Sequence, residues 1–148
     1  MPDAEGFVVV RGDARGFVQE ITAGRHHLMA DEPVGKGGTD RGPEPYDLLV
    51  AALGSCMSMT IALYARTKQW PLESVVIRLR HSRIHAKDCA DCVTRTDTLL
   101  DRIETELELV GKLTSEQRSR LAEIGQKCPV HRTLKSEIVI QEVSALPG

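Results

Sequence analysis

The four cysteines, some with histidines close by, fall in three places along the 148-residue chain. Cys56 stands inside GSCMSMTIALYA, Cys128 begins CPVHRTL, and His81, His85, Cys89 and Cys92 share the stretch HSRIHAKDCADC at spacings of four, four and three. A free cysteine is often a small, inert core hydrophobe. As a thiolate it is a nucleophile and a metal ligand. Cys56 therefore has two readings, filler in a buried helix or the reactive group the helix exists to hold. The His/Cys set also reads in more than one way. His81 and His85 point to the same side of a strand, so a Cys-x-x-Cys turn just beyond could complete a tetrahedral zinc site. Cys89 and Cys92 could equally form a reversible disulfide, or be plain loop residues.

The segments that must position these residues are legible from period and punctuation. Phe7 to Val10, Phe17 to Ile21 and His26 to Ala30 are short β-rich runs broken by Gly and Asp, which reads as a three-stranded antiparallel meander. The Pro- and Gly-rich stretch EPVGKGGTDRGPEP is a loop. A helix follows, with Pro45 suited to its first turn, Glu44 and Asp47 near the positive end of its dipole, and a stop before Pro71. Alternation in ESVVIRLRHSRIHA and again in DRIETELELVG gives two long half-buried strands. Thr114 and Gln117 have capping-box spacing and open an amphipathic helix that carries Leu121, Ile124 and Cys128 on one face. The β-branched LKSEIVIQEV reads as a final strand. The expected order is β-β-β-α-β-β-α-β in one α+β domain spanning 1–148.

Composition narrows the function. Nineteen Lys and Arg against 21 Asp and Glu give a net charge of -2, which leaves no electrostatic footprint for nucleic acid or anionic membrane. Aromatic residues are 3% of the chain, too few for base-stacking platforms, so the core is aliphatic. The N-terminus lacks the basic start and apolar run of a secretion signal, so a cytoplasmic location is expected, where cysteines start reduced. Leu48 to Ala65 is uncharged over 18 residues, the lower limit of a membrane span, but its small and hydroxyl residues and its isolation read better as a central helix wrapped in protein.

GGTDRGPEPYDLLVAALGSCMSMT, followed by a strand pair, a helix and CPVHRTL, resembles the OsmC/Ohr family of osmotically induced and organic-hydroperoxide-resistance proteins. The resemblance covers nearly the whole chain. It implies an OsmC-like fold, with antiparallel sheets around central helices in an intertwined homodimer that has its active sites at the dimer interface. It implies a cytosolic thiol peroxidase in which Cys56 attacks an organic hydroperoxide and Cys128 resolves the product as a disulfide. A dithiol or dihydrolipoyl reductant restores both thiols, and no cofactor is needed.

Residue chemistry agrees in part. Cys128 read at a helix C-terminus is the poorer first nucleophile, which suits resolving. Cys56 lies among Leu53, Met57, Met59 and Ile61, an apolar setting that leaves a thiol unreactive unless a cation stands beside it. The family draws that cation from an N-terminal arginine held by a glutamate. Arg11 and Arg15 are the candidates here, ahead of Arg25. At the family's glutamate position this chain has Tyr46, with Glu44 and Asp47 as substitutes out of register. Tyr46, Leu53 and Met57 then become candidate substrate-pocket residues. His131 could support a thiolate or protonate the leaving alkoxide, or simply bond the backbone. Two alternatives stay open: a non-catalytic relative holding zinc through His81, His85, Cys89 and Cys92, and a module binding a small apolar ligand in the dimer cleft.

Overall fold

A computed structural model describes residues 6–89, 92 and 98–143. Strands β1 (Val8–Gly12), β2 (Gln19–Ala23) and β3 (His26–Ala30) form an antiparallel meander in the order β1-β2-β3. Val10 lies opposite Ile21, and Glu20 opposite Met29. The β2–β3 turn takes Gly24 at φ 60°, the left-handed conformation that a two-residue hairpin turn needs.

The loop after β3 is organised by one buried carboxylate. Asp31 is 2% exposed and accepts hydrogen bonds from the backbone N–H groups of Glu32 (2.7 Å), Thr39 (3.2 Å) and Arg41 (3.1 Å) and from the Thr39 hydroxyl (2.7 Å). The Thr39 hydroxyl and the three amides together outweigh the cost of burial and hold its carboxyl at about 2, below the ordinary 3.8. A folded-state value below the unfolded one stabilises the fold above pH 3.8, and that contribution is lost as pH falls through about 2. The melting temperature is therefore expected to drop over this window. An Asp31→Asn variant should start lower at neutral pH and fall less steeply. Equal acid slopes in thermal melts of the two proteins would remove Asp31 from this account.

Helix α1 (Pro45–Lys68) begins where proline is tolerated, and the Asp47 carboxylate accepts from the Glu44 N–H at 3.1 Å. It ends as Gln69 turns left-handed at φ 57° and Trp70 N–H closes on Ala65 O at 2.9 Å. Trp70 then packs edge-on against Tyr64, ring centroids 5.6 Å apart.

The chain gathers into two compact units, Met1–Val50 and Ala51–Gly148. In the second, β4 (Leu72–His85) and β5 (Leu99–Gly111) pair antiparallel, with Ile77 opposite Leu107 and Val75 opposite Leu109 on the inward face. The outward face carries Arg78–Glu106 and Arg80–Glu104 ion pairs at 2.9 and 2.8 Å. Helix α2 (Ser115–Gly125) starts with both reciprocal bonds of the Thr114/Gln117 capping box. Ile61, Ala65, Leu109 and Leu121 form a core, with Trp70, Leu72, Val75 and Leu107 packed against it. Helix α1 is long and apolar enough to cross a membrane. Leu53, Met57, Ile61 and Ala65 are buried along one stripe, whereas Leu49, Met59 and Leu63 are exposed, so core packing accounts for only part of that composition and the helix is not wrapped in protein on every side.

Two expectations need correcting. The second helix does not run on to Cys128: α2 stops at Gly125, and a separate short helix, α3 (Pro129–Lys135), begins from Cys128 as its N-cap. LKSEIVIQEV is not a strand. Its first two residues end α3, and no partner strand pairs with residues 136–143 among the described residues. Ile138, Val139, Ile140 and Val143 are consequently exposed. β propensity expresses a fit to a neighbouring strand, and among the described residues none pairs with it.

Candidate active site

Cys56 rides on α1, and Cys128 on the turn between α2 and α3. Both thiols are free. Leu53, Met57 and Cys128 form a buried cluster against which Cys56, Ile77, Leu79, Ile103, Val130 and Leu134 pack. Cys56 packs against the cluster that holds Cys128, so the fold brings together the cysteines that stand far apart in sequence. Gly54 permits this approach of α1 to β4, because a Cβ there would lie 2.6 Å from Leu79 Cδ1. Thr60 Oγ1 donates to Cys56 O at 2.8 Å, satisfying the hydroxyl within the helix.

The two thiols sit in different surroundings. Cys128 is fully buried, and Cys56 only partly. Burial raises the Cys128 thiol above its ordinary value, the Cys56 contact adds to this, and the backbone N–H groups of His131 and Val130 pull the other way. His131 N–H donates to Cys128 Sγ at 3.3 Å. Cys128 thus stands at a helix N-terminus, not at the C-terminus expected from sequence, so the helix dipole does not disfavour its thiolate. Its protonation follows from burial instead. The described contact of His131 with the site is through its backbone.

The remaining candidates are placed elsewhere. Arg11 and Arg15 line an open cavity of about 540 Å³ with Arg41, Glu20 and Met29, all within the Met1–Val50 unit. Arg15 leans on Asp13, through its N–H at 2.8 Å and its guanidinium at 3.6 Å. Arg41 escaped the sequence reading because it sits in a Gly/Pro loop that carries no period. Glu44 accepts from Lys36 Nζ at 2.9 Å, and this contact raises the lysine above its ordinary value. With Asp47 turned to the Glu44 N–H, both stand-ins for the family's glutamate are engaged locally. Tyr46 is half exposed on the first turn of α1, while Leu53 and Met57 are buried beneath the thiols.

The zinc reading is not supported. Cys89 and Cys92 are joined as a disulfide, so neither sulfur is free to ligate, and among the described residues no group of three His, Cys, Asp or Glu could hold a metal ion. His81 is instead bonded to Asp101 through Nε2 at 2.7 Å, and that bond is the main cause holding the Asp101 carboxyl below its ordinary value.

The sequence pattern of a family described as OsmC-like protein matches residues 37–143. No match is found among curated proteins. Among solved structures, an OsmC-like protein from Mycoplasma pneumoniae superposes with a TM-score of 0.67 at 16% identity, covering 90% of this chain and 89% of that one. An organic hydroperoxide resistance protein OsmC from Legionella pneumophila gives 0.62 at 19% identity over 89% and 91%. An organic hydroperoxide resistance protein from Elizabethkingia anophelis gives 0.62 at 17% identity over 86% of each chain. At these identities the likeness is one of fold.

Proposed function

The chain belongs to the OsmC-like protein family, and from that premise we propose that it is a cysteine-based peroxidase for organic hydroperoxides, with Cys56 the attacking thiol and Cys128 the resolving one. The observation that carries this reading is the contact of two free thiols of unequal burial in one apolar cluster. The Cys56 thiolate attacks the hydroperoxide, the O–O bond breaks, and the alkoxide leaves as an alcohol on gaining a proton. Cys56 is then a sulfenic acid. The Cys128 thiol attacks that sulfur, water departs, and a Cys56–Cys128 disulfide remains. A dithiol supplies two electrons and two protons to restore both thiols.

Leu53 and Met57 give the site its apolar floor, and Tyr46 is the candidate for its rim. Arg11 and Arg15 are the candidate activating cations, with Arg41 in the same cavity. A homodimer fits the large exposed apolar side chains, with Met59 at 71%, Val139 at 79% and Ile140 at 92%.

One equivalent of cumene hydroperoxide added to the protein is expected to join the tryptic peptides of Cys56 and Cys128, with the loss of two hydrogens by mass. Hydrogen peroxide should do so more slowly, and light scattering should give the mass of two chains. Equal alkylation of Cys56 with and without peroxide would overturn the peroxidase, and a one-chain mass would overturn the dimer.

A further inference from the structure

The Cys89–Cys92 disulfide lies just past the end of the β4–β5 hairpin ladder and takes no part in the chemistry above. Its simplest role, a staple, fits the geometry poorly. The ladder already runs to the pair His85–Leu99, and beyond it Ala86 N–H donates to Thr98 O at 2.8 Å. Ala86 itself is buried at 1% exposure, so the neck of the loop is anchored before the sulfurs are reached. A bond across a sequence separation of three closes a very short ring, and the freedom a disulfide removes from the unfolded chain grows with the length it closes. Both cysteines are partly exposed, and Lys87 and Asp88 beside them are exposed, so a reductant can reach the bond.

We propose that Cys89–Cys92 is a second thiol–disulfide exchange centre, which takes two electrons from a dithiol and passes them to the disulfide of another molecule. A reductant thiolate attacks one sulfur, the Cys89–Cys92 bond breaks, and a mixed disulfide forms. The reductant's second thiol displaces the protein and leaves as a cyclic disulfide, with Cys89 and Cys92 now thiols. The same steps in reverse reduce an acceptor disulfide and reform the bond. The centre works apart from Cys56 and Cys128. Leu79 packs on their cluster, and from Leu79 to His85 alone the extended strand spans roughly 20 Å at its usual rise per residue.

The test needs no peroxide, so its failure is separable from failure of the peroxidase reading. Trypsin cuts after Lys87 and Arg95, giving the peptide Asp88–Arg95 with Cys89 and Cys92 and neither of the other cysteines. Dithiothreitol added to the native protein, followed by alkylation, is expected to label this peptide twice while circular dichroism stays unchanged. The protein should also speed dithiothreitol-driven reduction of insulin several-fold. That gain should persist in Cys56→Ser and vanish in Cys89→Ser/Cys92→Ser. A peptide that resists labelling until the chain unfolds, insulin reduction no faster than in buffer, or a gain that survives the double substitution would each overturn the proposal.

Discussion

Replacing Cys56 with serine is expected to stop the consumption of cumene hydroperoxide, lowering the rate on the order of a thousandfold or more, as removal of a covalent nucleophile does. Cys128→Ser behaves differently. It is expected to consume a single equivalent and then stall, with a sulfenic acid on Cys56 that dimedone traps. The contrast rests on the unequal placement of the two sulfurs. Cys56 is partly exposed and can meet a substrate, whereas Cys128 has no exposed surface and burial keeps its thiol protonated. A serine hydroxyl can stand in for either side chain in size, but it cannot attack an O–O bond as a thiolate does, nor close a disulfide. Stopped-flow consumption curves for the three proteins check this. Wild-type-like rates in Cys56→Ser would make Cys56 core filler, and steady turnover in Cys128→Ser would end its resolving role.

How much of this site was legible in the sequence depends on the range of the interaction involved. Local signals held. Pro45 begins α1, the alternation of Val75, Ile77 and Leu79 against Arg78 and Arg80 builds β4, and Thr114 with Gln117 caps α2. Each is decided within a few residues. The extent of the second helix went wrong for a local reason too. Pro129 is a signal for a first helical turn, and it marks the start of α3 rather than a continuation of α2. What sequence could not carry is pairing across the chain. Ile138, Val139 and Ile140 have strand propensity, yet a strand is defined by a neighbour. The meeting of Cys56 with Cys128 likewise comes from two helices packing on one sheet, not from either motif. The Cys89–Cys92 bond was among the alternatives the spacing left open, and it is the one present in the structure.

The packing that makes the two thiols meet has a testable centre at Ile61. This residue is fully buried in the core with Leu121 and Leu109. It also abuts the last residue of α2, since a Cβ on Gly125 would stand 2.9 Å from Ile61 Cδ1 and 3.7 Å from Met57 Cε. Ile61→Ala removes that wedge and leaves a void that the surrounding α1, α2 and β5 can only partly close. The expected cost is about 2–5 kcal/mol, a melting temperature lower by on the order of 10 °C for a chain of this size. Ile61→Val should cost only about 0.5–1.5 kcal/mol. Arg66→Ala, at an exposed position of the same helix, should stay within about 0.5 kcal/mol. The site responds as well, because the segment from Gly125 to Cys128 loses its backing against α1. Disulfide closure should then slow more than the first attack on peroxide, and the sulfenic acid on Cys56 should live longer than in wild type. Thermal melts and sulfenic-acid trapping on the three variants separate these effects. An Ile61→Ala protein that melts with the wild type would mean the core does not hold Cys128 against Cys56 through this contact.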